Sequence, residues 1–226
     1  MTRPRAAACV IVFCGAAAAR GAAAQTAGAE AGRFDVSGGV SWIGQTSIGA
    51  SDAGETTPSN GSLRIFSTSS DLGAAPAVDL RVGVRLARAI GVEAEAAYGR
   101  PELRVAVSGD IENAAPTTAV EKIQEYMIGG AVVWRVPGVQ RPRLAPFVAV
   151  GGGYLRQLHD RALLAQTGRY YTLGGGVAYL LASRSGWLKA TGVRVDARAV
   201  VRRDGVAFAP GSHAAPSAGA SLFVRF

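Results

Sequence analysis

Glu125-Tyr-Met-Ile-Gly-Gly-Ala-Val-Val-Trp-Arg135 is the stretch on which the fold turns. Tyr126, Ile128, Gly130, Val132 and Trp134 share one face, and Glu125, Gly129 and Arg135 share the other. A period of two belongs to an extended strand, whose successive side chains point to opposite faces. A helix would repeat its apolar positions every three or four residues. The two aromatic residues of the apolar face, Tyr126 and Trp134, stand eight positions apart.

The same alternation runs outward in both directions. In Arg33–Gln45, Phe34, Val36, Val40 and Trp42 oppose Asp35, Ser37 and Ser41. In Ala77–Arg88, Val78, Leu80, Val82, Val84 and Leu86 oppose Asp79, Arg81 and Arg85. Ile90–Arg100 sets Val92 and Tyr98 against Glu93 and Glu95. Arg143–Arg156 is rich in apolar residues and glycine. Gly168–Ala182 sets Tyr171, Leu173, Val177 and Tyr179 against Tyr170 and Thr172. Leu188–Arg203 sets Val193, Val195 and Val201 against Arg194, Asp196, Arg198 and Arg202. Ser217–Phe226 sets Leu222, Val224 and Phe226 against Ser221 and Arg225. Together with Lys122–Val136 these are eight strands.

Two kinds of connection alternate between them. Ala87–Ala89, Pro137–Pro142 and Ser183–Trp187 are short turns. Thr46–Pro76, Pro101–Glu121, Gln157–Thr167 and Asp204–Pro216 are longer and read as surface loops. Leu63–Ser67 and Leu103–Ser108 are candidates to extend the neighbouring strands. Short turns on one side and longer loops on the other are the asymmetry of a transmembrane barrel. The aromatic spacing agrees with it. Phe34 and Trp42, Tyr126 and Trp134, and Tyr171 and Tyr179 are each eight apart. Eight residues rise roughly 26 Å, or about 20 Å along the membrane normal in a tilted strand. The apolar band between two aromatic girdles is about 25 Å tall. The girdles are therefore assigned to Phe34, Trp42, Tyr98, Tyr126, Trp134, Tyr171, Tyr179 and Phe226. The competing architecture is a soluble lipocalin-like barrel with its apolar faces inside; alternation alone does not separate the two.

Composition narrows the class. Of 226 residues, 49% are hydrophobic, too many for a disordered chain, and 18% are charged, fewer than the roughly 25% of ordinary soluble domains. Arg3 and Arg5, the apolar Ala6–Ala19 and the A-x-A site at Ala22–Ala24 have the plan of a secretory signal peptide. The expected organisation is a signal peptide over 1–24 and a barrel domain over 25–226. Cys9 and Cys14 both fall in the leader, so the mature chain is expected to lack disulfides and thiolate chemistry. Loss of Arg3, Arg5 and Arg20 lowers the formal charge from +8 to +5. An exported address with so modest a charge argues against nucleic acid as a partner.

These features resemble the OmpA/OmpX-like family of small outer-membrane β-barrels over about Arg33–Phe226. The carrier of the resemblance is Ser217-Ala-Gly-Ala-Ser-Leu-Phe-Val-Arg-Phe226. It matches the aromatic-ended terminal strand that such proteins present to the assembly machinery, with Leu222, Val224 and Phe226 as the signal. Its glycine is offset, and Val224 replaces a common aromatic. The resemblance implies an all-β fold, an eight-stranded antiparallel up-and-down transmembrane β-barrel with short periplasmic turns and longer outer loops. It also implies a cell outer membrane location, contact with outer-membrane lipid and lipopolysaccharide, and a monomer.

With the apolar faces in lipid, the polar faces fill the interior. The inward set is Asp79, Arg81, Arg85, Glu93, Glu95, Glu125, Arg135, Arg194, Asp196, Arg198, Arg202 and Arg225. Eight strands enclose a space that side chains just fill, and confined charges need partners. An ion-pair network is expected, with Glu93 and Glu95 near Arg81 or Arg85 of the adjacent strand. Gly151–Gly153 and Gly174–Gly176 are read as room for bulky lumen neighbours or as points that allow bending. His159 beside Asp160, and Ser212 beside His213, form no catalytic triad. No catalytic, cofactor or metal site is assigned. Glu102, Asp110, Glu112 and Glu121 give the second loop an acidic character suited to divalent cations. Arg156, Arg161 and Arg169 border the third loop and are placed to meet lipopolysaccharide phosphates. The functional reading is a non-enzymatic barrel with a structural or interaction role: envelope integrity, adhesion through its loops, or lipid or ligand binding. The alternatives are a narrow, porin-like diffusion channel and a soluble lipocalin-like periplasmic binding barrel.

Overall fold

A computed structural model describes residues 32–56, 62–109, 111, 115–159, 164–183, 186–206 and 211–226. The signal segment, including Cys9 and Cys14, lies outside the described residues, as do Asp110, Glu112, Asp160 and Arg161. The described chain forms eleven strands: β1 (Phe34–Ile43), β2 (Thr46–Thr56), β3 (Ser62–Leu72), β4 (Ala75–Arg85), β5 (Ile90–Gly99), β6 (Glu102–Ser108), β7 (Thr117–Arg135), β8 (Leu144–His159), β9 (Ala165–Ser183), β10 (Ala190–Asp204) and β11 (Ser212–Arg225).

Eight of them close a barrel. The ladder runs β7-β5-β4-β1-β11-β10-β9-β8 and returns to β7 through the β7–β8 pairing, all antiparallel. Closure sets Ile123 opposite His159 at one end of that last pair and Arg135 opposite Phe147 at the other. With no free edge, every ladder hydrogen bond of the barrel is made inside it, as a lipid environment requires.

The remaining three strands correct the loop reading in part: Leu63–Ser67 and Leu103–Ser108 do lie in strands, β3 and β6, but the strands run further than expected. Thr46–Pro76 is not a surface loop: it contains β2 and β3, which pair with each other. Pro101–Glu121 likewise contains β6 and the first residues of β7. β2, β3, β6 and the start of β7 make one sheet that continues the barrel at its loop end. β3 leads into β4 across Gly73–Ala74, β1 into β2 across Gly44–Gln45, and β5 into β6 across Arg100–Pro101. The ladder is stitched at these breaks: Gly44 donates to Pro216, Gly73 to Glu102 and Ile123 to Pro101, at 2.7, 2.7 and 2.9 Å.

The faces fall as the alternation requires. Val40, Val78, Leu80, Ile128, Val150, Leu173, Val195 and Leu222 stand outside and exposed, while Asp79, Arg81, Glu93, Arg194 and Asp196 are buried in the lumen. A soluble barrel would invert this arrangement. Hydrocarbon is the solvent that an exposed apolar band wrapped around buried charge suits.

Candidate functional site

The lumen is filled in layers. At the loop end, Ile48, Leu72, Leu103, Ile123 and Val206 form an apolar cap, with Ile48 and Ile123 almost wholly buried. Beneath it, Arg202 clamps Glu125 with both nitrogens of its fork, Nε at 3.1 Å and Nη2 at 2.8 Å. Gln157 donates to the same carboxylate at 2.7 Å and accepts from the Val206 amide at 2.8 Å. This ties the cap to the charges below it. A second apolar layer follows, holding Ile43, Met127, Leu155, Tyr170 and Val200.

The central layer is ionic. Arg81 reaches Asp79 at 3.0 Å and Asp196 at 3.1 Å. Arg198 bonds Asp196 at 2.7 Å and Glu95 at 2.9 Å. Tyr170 donates its hydroxyl to Glu95 at 3.2 Å. Arg194 meets Glu93 at 2.7 Å, and its guanidinium lies 4.1 Å from the centre of the Phe147 ring. Towards the turn end Arg135 approaches Asp35 at 3.8 Å, and Arg225 lies over the Phe223 ring.

All twelve predicted lumen residues face inward; Arg85, Glu95 and Arg135 are half-buried and the other nine are buried. Their pairing also reaches across the barrel. Arg81 stands directly opposite Glu95 in the β4–β5 ladder, yet Glu95 is held by Arg198 and Glu93 by Arg194, both from β10. Long guanidinium stems span the narrow interior, so closure of the barrel adds partners from across the lumen to those within a strand. The glycines make this possible. Gly174 and Gly176 of β9 lie opposite Arg198 and Asp196, and a Cβ on either would press on those residues.

Sequence reasoning missed Asp35, Gln157 and Tyr170. Asp35 and Tyr170 carry the right parity in their strands. Gln157 fell in a segment read as loop. His159 of β8 pairs with Glu121 of β7 at 2.9 Å. His213 donates to the Ser47 carbonyl at 2.8 Å. Glu102 is engaged by Arg104 at 2.9 Å. Among the described residues no three side chains of metal-binding type converge.

The aromatic positions divide between the two ends. Trp42, Tyr98, Tyr126 and Tyr171 lie towards the loop end, with Tyr98 and Tyr126 in ring contact at 4.9 Å. Phe34, Trp134, Tyr179 and Phe226 lie towards the turns. Tyr154 joins the first group and Trp187 the second, both exposed and neither foreseen; Trp187 stacks on Phe226 at 5.2 Å. Leu222, Val224 and Phe226 all sit on the outer face; Leu222 and Val224 belong to β11, which is paired on one side with β1 and on the other with β10.

Outside the loop-end aromatics stands a row of basic side chains. Arg156 of β8, Arg169 of β9 and Arg203 of β10 are exposed and point outward. Arg169 and Arg203 are direct ladder partners, and Arg169 also opposes Tyr154.

The sequence profile described as "Outer membrane protein beta-barrel domain" matches residues 6–206. Among solved structures the fold is similar to that of the neisserial surface protein A, with 16% identity and a TM-score of 0.49, over 85% of this chain and 97% of that one. It is also similar to the outer membrane protein OprG of Pseudomonas aeruginosa (14% identity, TM-score 0.46, 86% and 95% covered). The third is Ail, the attachment invasion locus protein of Yersinia pestis, solved with the heparin analogue sucrose octasulfate (11% identity, TM-score 0.41, 85% and 98% covered). No curated protein matches the chain.

Proposed function

Because the chain belongs to the family of outer membrane protein beta-barrel domains, we propose that it is a non-enzymatic barrel with a structural and interaction role, exported by its N-terminal signal. The observation that carries this reading is the occupied lumen. Two apolar layers and a ladder of buried ion pairs stand across the path a solute would take. The barrel serves as an anchor, and the sheet built from β2, β3, β6 and the start of β7 is the surface it presents. Its role is exercised through loop-end contacts, not transport.

Two partners follow from the outer face. Arg169 and Arg203 face each other across a ladder, an arrangement that is unfavourable between like charges. A phosphate oxygen between two guanidinium groups reverses the sign of that interaction and accepts short, charge-assisted hydrogen bonds. Together with Arg156, and just beyond Tyr154 and Tyr171, they are placed to hold lipopolysaccharide phosphates while the aromatic rings lie at the interface. The second partner is the assembly machinery, recognising Leu222, Val224 and Phe226 before β11 is paired. The working unit is a monomer.

The test combines a deletion strain with purified protein. Wild-type chain restores resistance of the envelope to detergent. A variant carrying Arg169→Gln and Arg203→Gln folds, but binds lipopolysaccharide at least about tenfold more weakly, as loss of charge-assisted bonds implies. A variant with the β2–β3 hairpin shortened folds but does not restore the envelope. Full restoration by the shortened variant, or unchanged lipopolysaccharide binding by the double variant, overturns the corresponding half of the proposal.

A further inference from the structure

We propose that the short turns of the barrel dock on anionic phospholipid headgroups of the periplasmic leaflet. The carrying observation is a pattern that the turns share. The turn between β7 and β8 holds Val139, 59% exposed, with Arg141 and Arg143 exposed beyond it. The turn between β9 and β10 holds Trp187, 78% exposed, two residues before Lys189. The turn between β4 and β5 adds Leu86, 60% exposed, and Arg88. Arg88 is also engaged within the protein, so the other two turns carry the proposal. Among the described residues no ion pair of the barrel draws on Arg141, Arg143 or Lys189. None of the three turns contains Asp or Glu. The loop end differs: Asp52, Glu102, Glu121 and Asp204 stand there among the bases.

Local hydrogen bonds hold these side chains in place. Arg141 and Leu144 exchange both backbone bonds, at 2.9 and 3.1 Å, and Gly138 takes a left-handed φ of +84° that glycine alone adopts freely. Trp187 stacks on Phe226 at 5.2 Å, and the Lys189 amide donates to the Arg225 carbonyl at 2.8 Å. A large apolar side chain left in water at each of three turns is unfavourable. The same side chain beside a base suits a lipid interface, where apolar groups enter the headgroup boundary and cations meet phosphate. Phe34, Trp134, Tyr179 and Phe226 lie at this end of the barrel, so the turns continue an aromatic girdle. In barrels of this kind the short turns face the periplasm, which sets the leaflet. Anionic headgroups attract Lys and Arg held near the membrane surface, and the attraction fades within a Debye length. A purely polar polyanion, such as the cell-wall polymer, would meet the bases but leave Leu86, Val139 and Trp187 in water. The pairing of apolar side chains with acid-free basic turns therefore selects lipid.

The test places the folded chain in lipid vesicles, with Trp42→Phe and Trp134→Phe leaving Trp187 as the reporter. Quenching of Trp187 by brominated phosphatidylglycerol is compared with quenching by brominated phosphatidylcholine at the same mole fraction. The expected result is an association constant about fivefold or more higher for phosphatidylglycerol, reduced by added salt. The triple variant Arg141→Gln, Arg143→Gln and Lys189→Gln brings the two lipids level. These side chains take no part in the lumen ion pairs, so the barrel still forms, which its heat-dependent mobility verifies. Arg169→Gln with Arg203→Gln, at the loop end, leaves the preference unchanged, so the lipopolysaccharide reading and this one fail separately. Equal quenching by the two lipids in the parent chain, or a preference that survives in the triple variant, overturns the assignment. Binding to purified peptidoglycan that the triple variant loses, with no preference between the lipids, gives the surface to the cell wall and overturns it as well.

Discussion

Glu93 of β5 and Arg194 of β10 meet at 2.7 Å although their strands stand on opposite sides of the barrel. Following the ladder from β5 through β4, β1 and β11 to β10 takes four steps in a ring of eight. The contact is therefore a strut across the lumen. Both side chains are almost fully buried, so removing one leaves a desolvated charge. Glu93→Gln is expected to cost about 3 kcal/mol in denaturant unfolding, whereas Glu93→Gln combined with Arg194→Met recovers most of that loss. Equal loss in the single and double variants would contradict the strut.

The glycine floor makes a second prediction. A Cβ on Gly176 meets Asp196 Cβ at 2.7 Å. Gly176→Ala is expected to destabilise the barrel by about 1–3 kcal/mol, as overpacking does. Gly38 is the control, because a Cβ there finds its nearest neighbour, the Asp79 carbonyl, at 3.9 Å. Gly38→Ala should unfold at the wild-type denaturant concentration or above it.

Lipid on the outer face implies a depth dependence. Leu80 pairs with Gly38, which lies midway between Phe34 and Trp42, and Leu80 is exposed. Leu80→Arg is expected to cost about 2–4 kcal/mol in lipid vesicles. Ser69→Arg, on the exposed face of the β3 extension, should change stability by no more than about 0.5 kcal/mol. The same cost at both sites would remove the membrane from the account.

The girdles are open to fluorescence. The chain has three tryptophans, Trp42 towards the loop end and Trp134 and Trp187 towards the turns. In single-tryptophan variants, lipids brominated near the headgroup should quench each residue more than lipids brominated near the chain end. Stronger quenching by the deep bromines at Trp42 or Trp134 would misplace the girdles.

Much of this fold is legible in the chain because parity survives without neighbours. Val78 and Asp79 declare opposite faces whatever they touch, and so do Val195 and Asp196. What parity lacks is distance around the ring. Glu93 finds Arg194 across the lumen because of the closure between β7 and β8, which pattern alone does not encode. β2, and β3 beyond Leu63–Ser67, escaped notice for another reason: both are rich in Ser, Thr and Gly with few large apolar residues, and the break at Gly73–Ala74 ends the alternation. The His159–Glu121 pair needed the β7–β8 register, and Asp35 needed only to be counted with the polar face it already occupied.

Closure of the lumen by these layers is read by the conductance of the purified barrel in a planar lipid bilayer. The wild-type protein should leave the membrane at its baseline across the applied voltage range, with the inserted protein verified by its heat-dependent mobility. Steady ohmic steps from the wild-type protein, altered in size or ion preference by Glu125→Gln or Arg202→Gln, would show that ions pass through the layers described above and would contradict it.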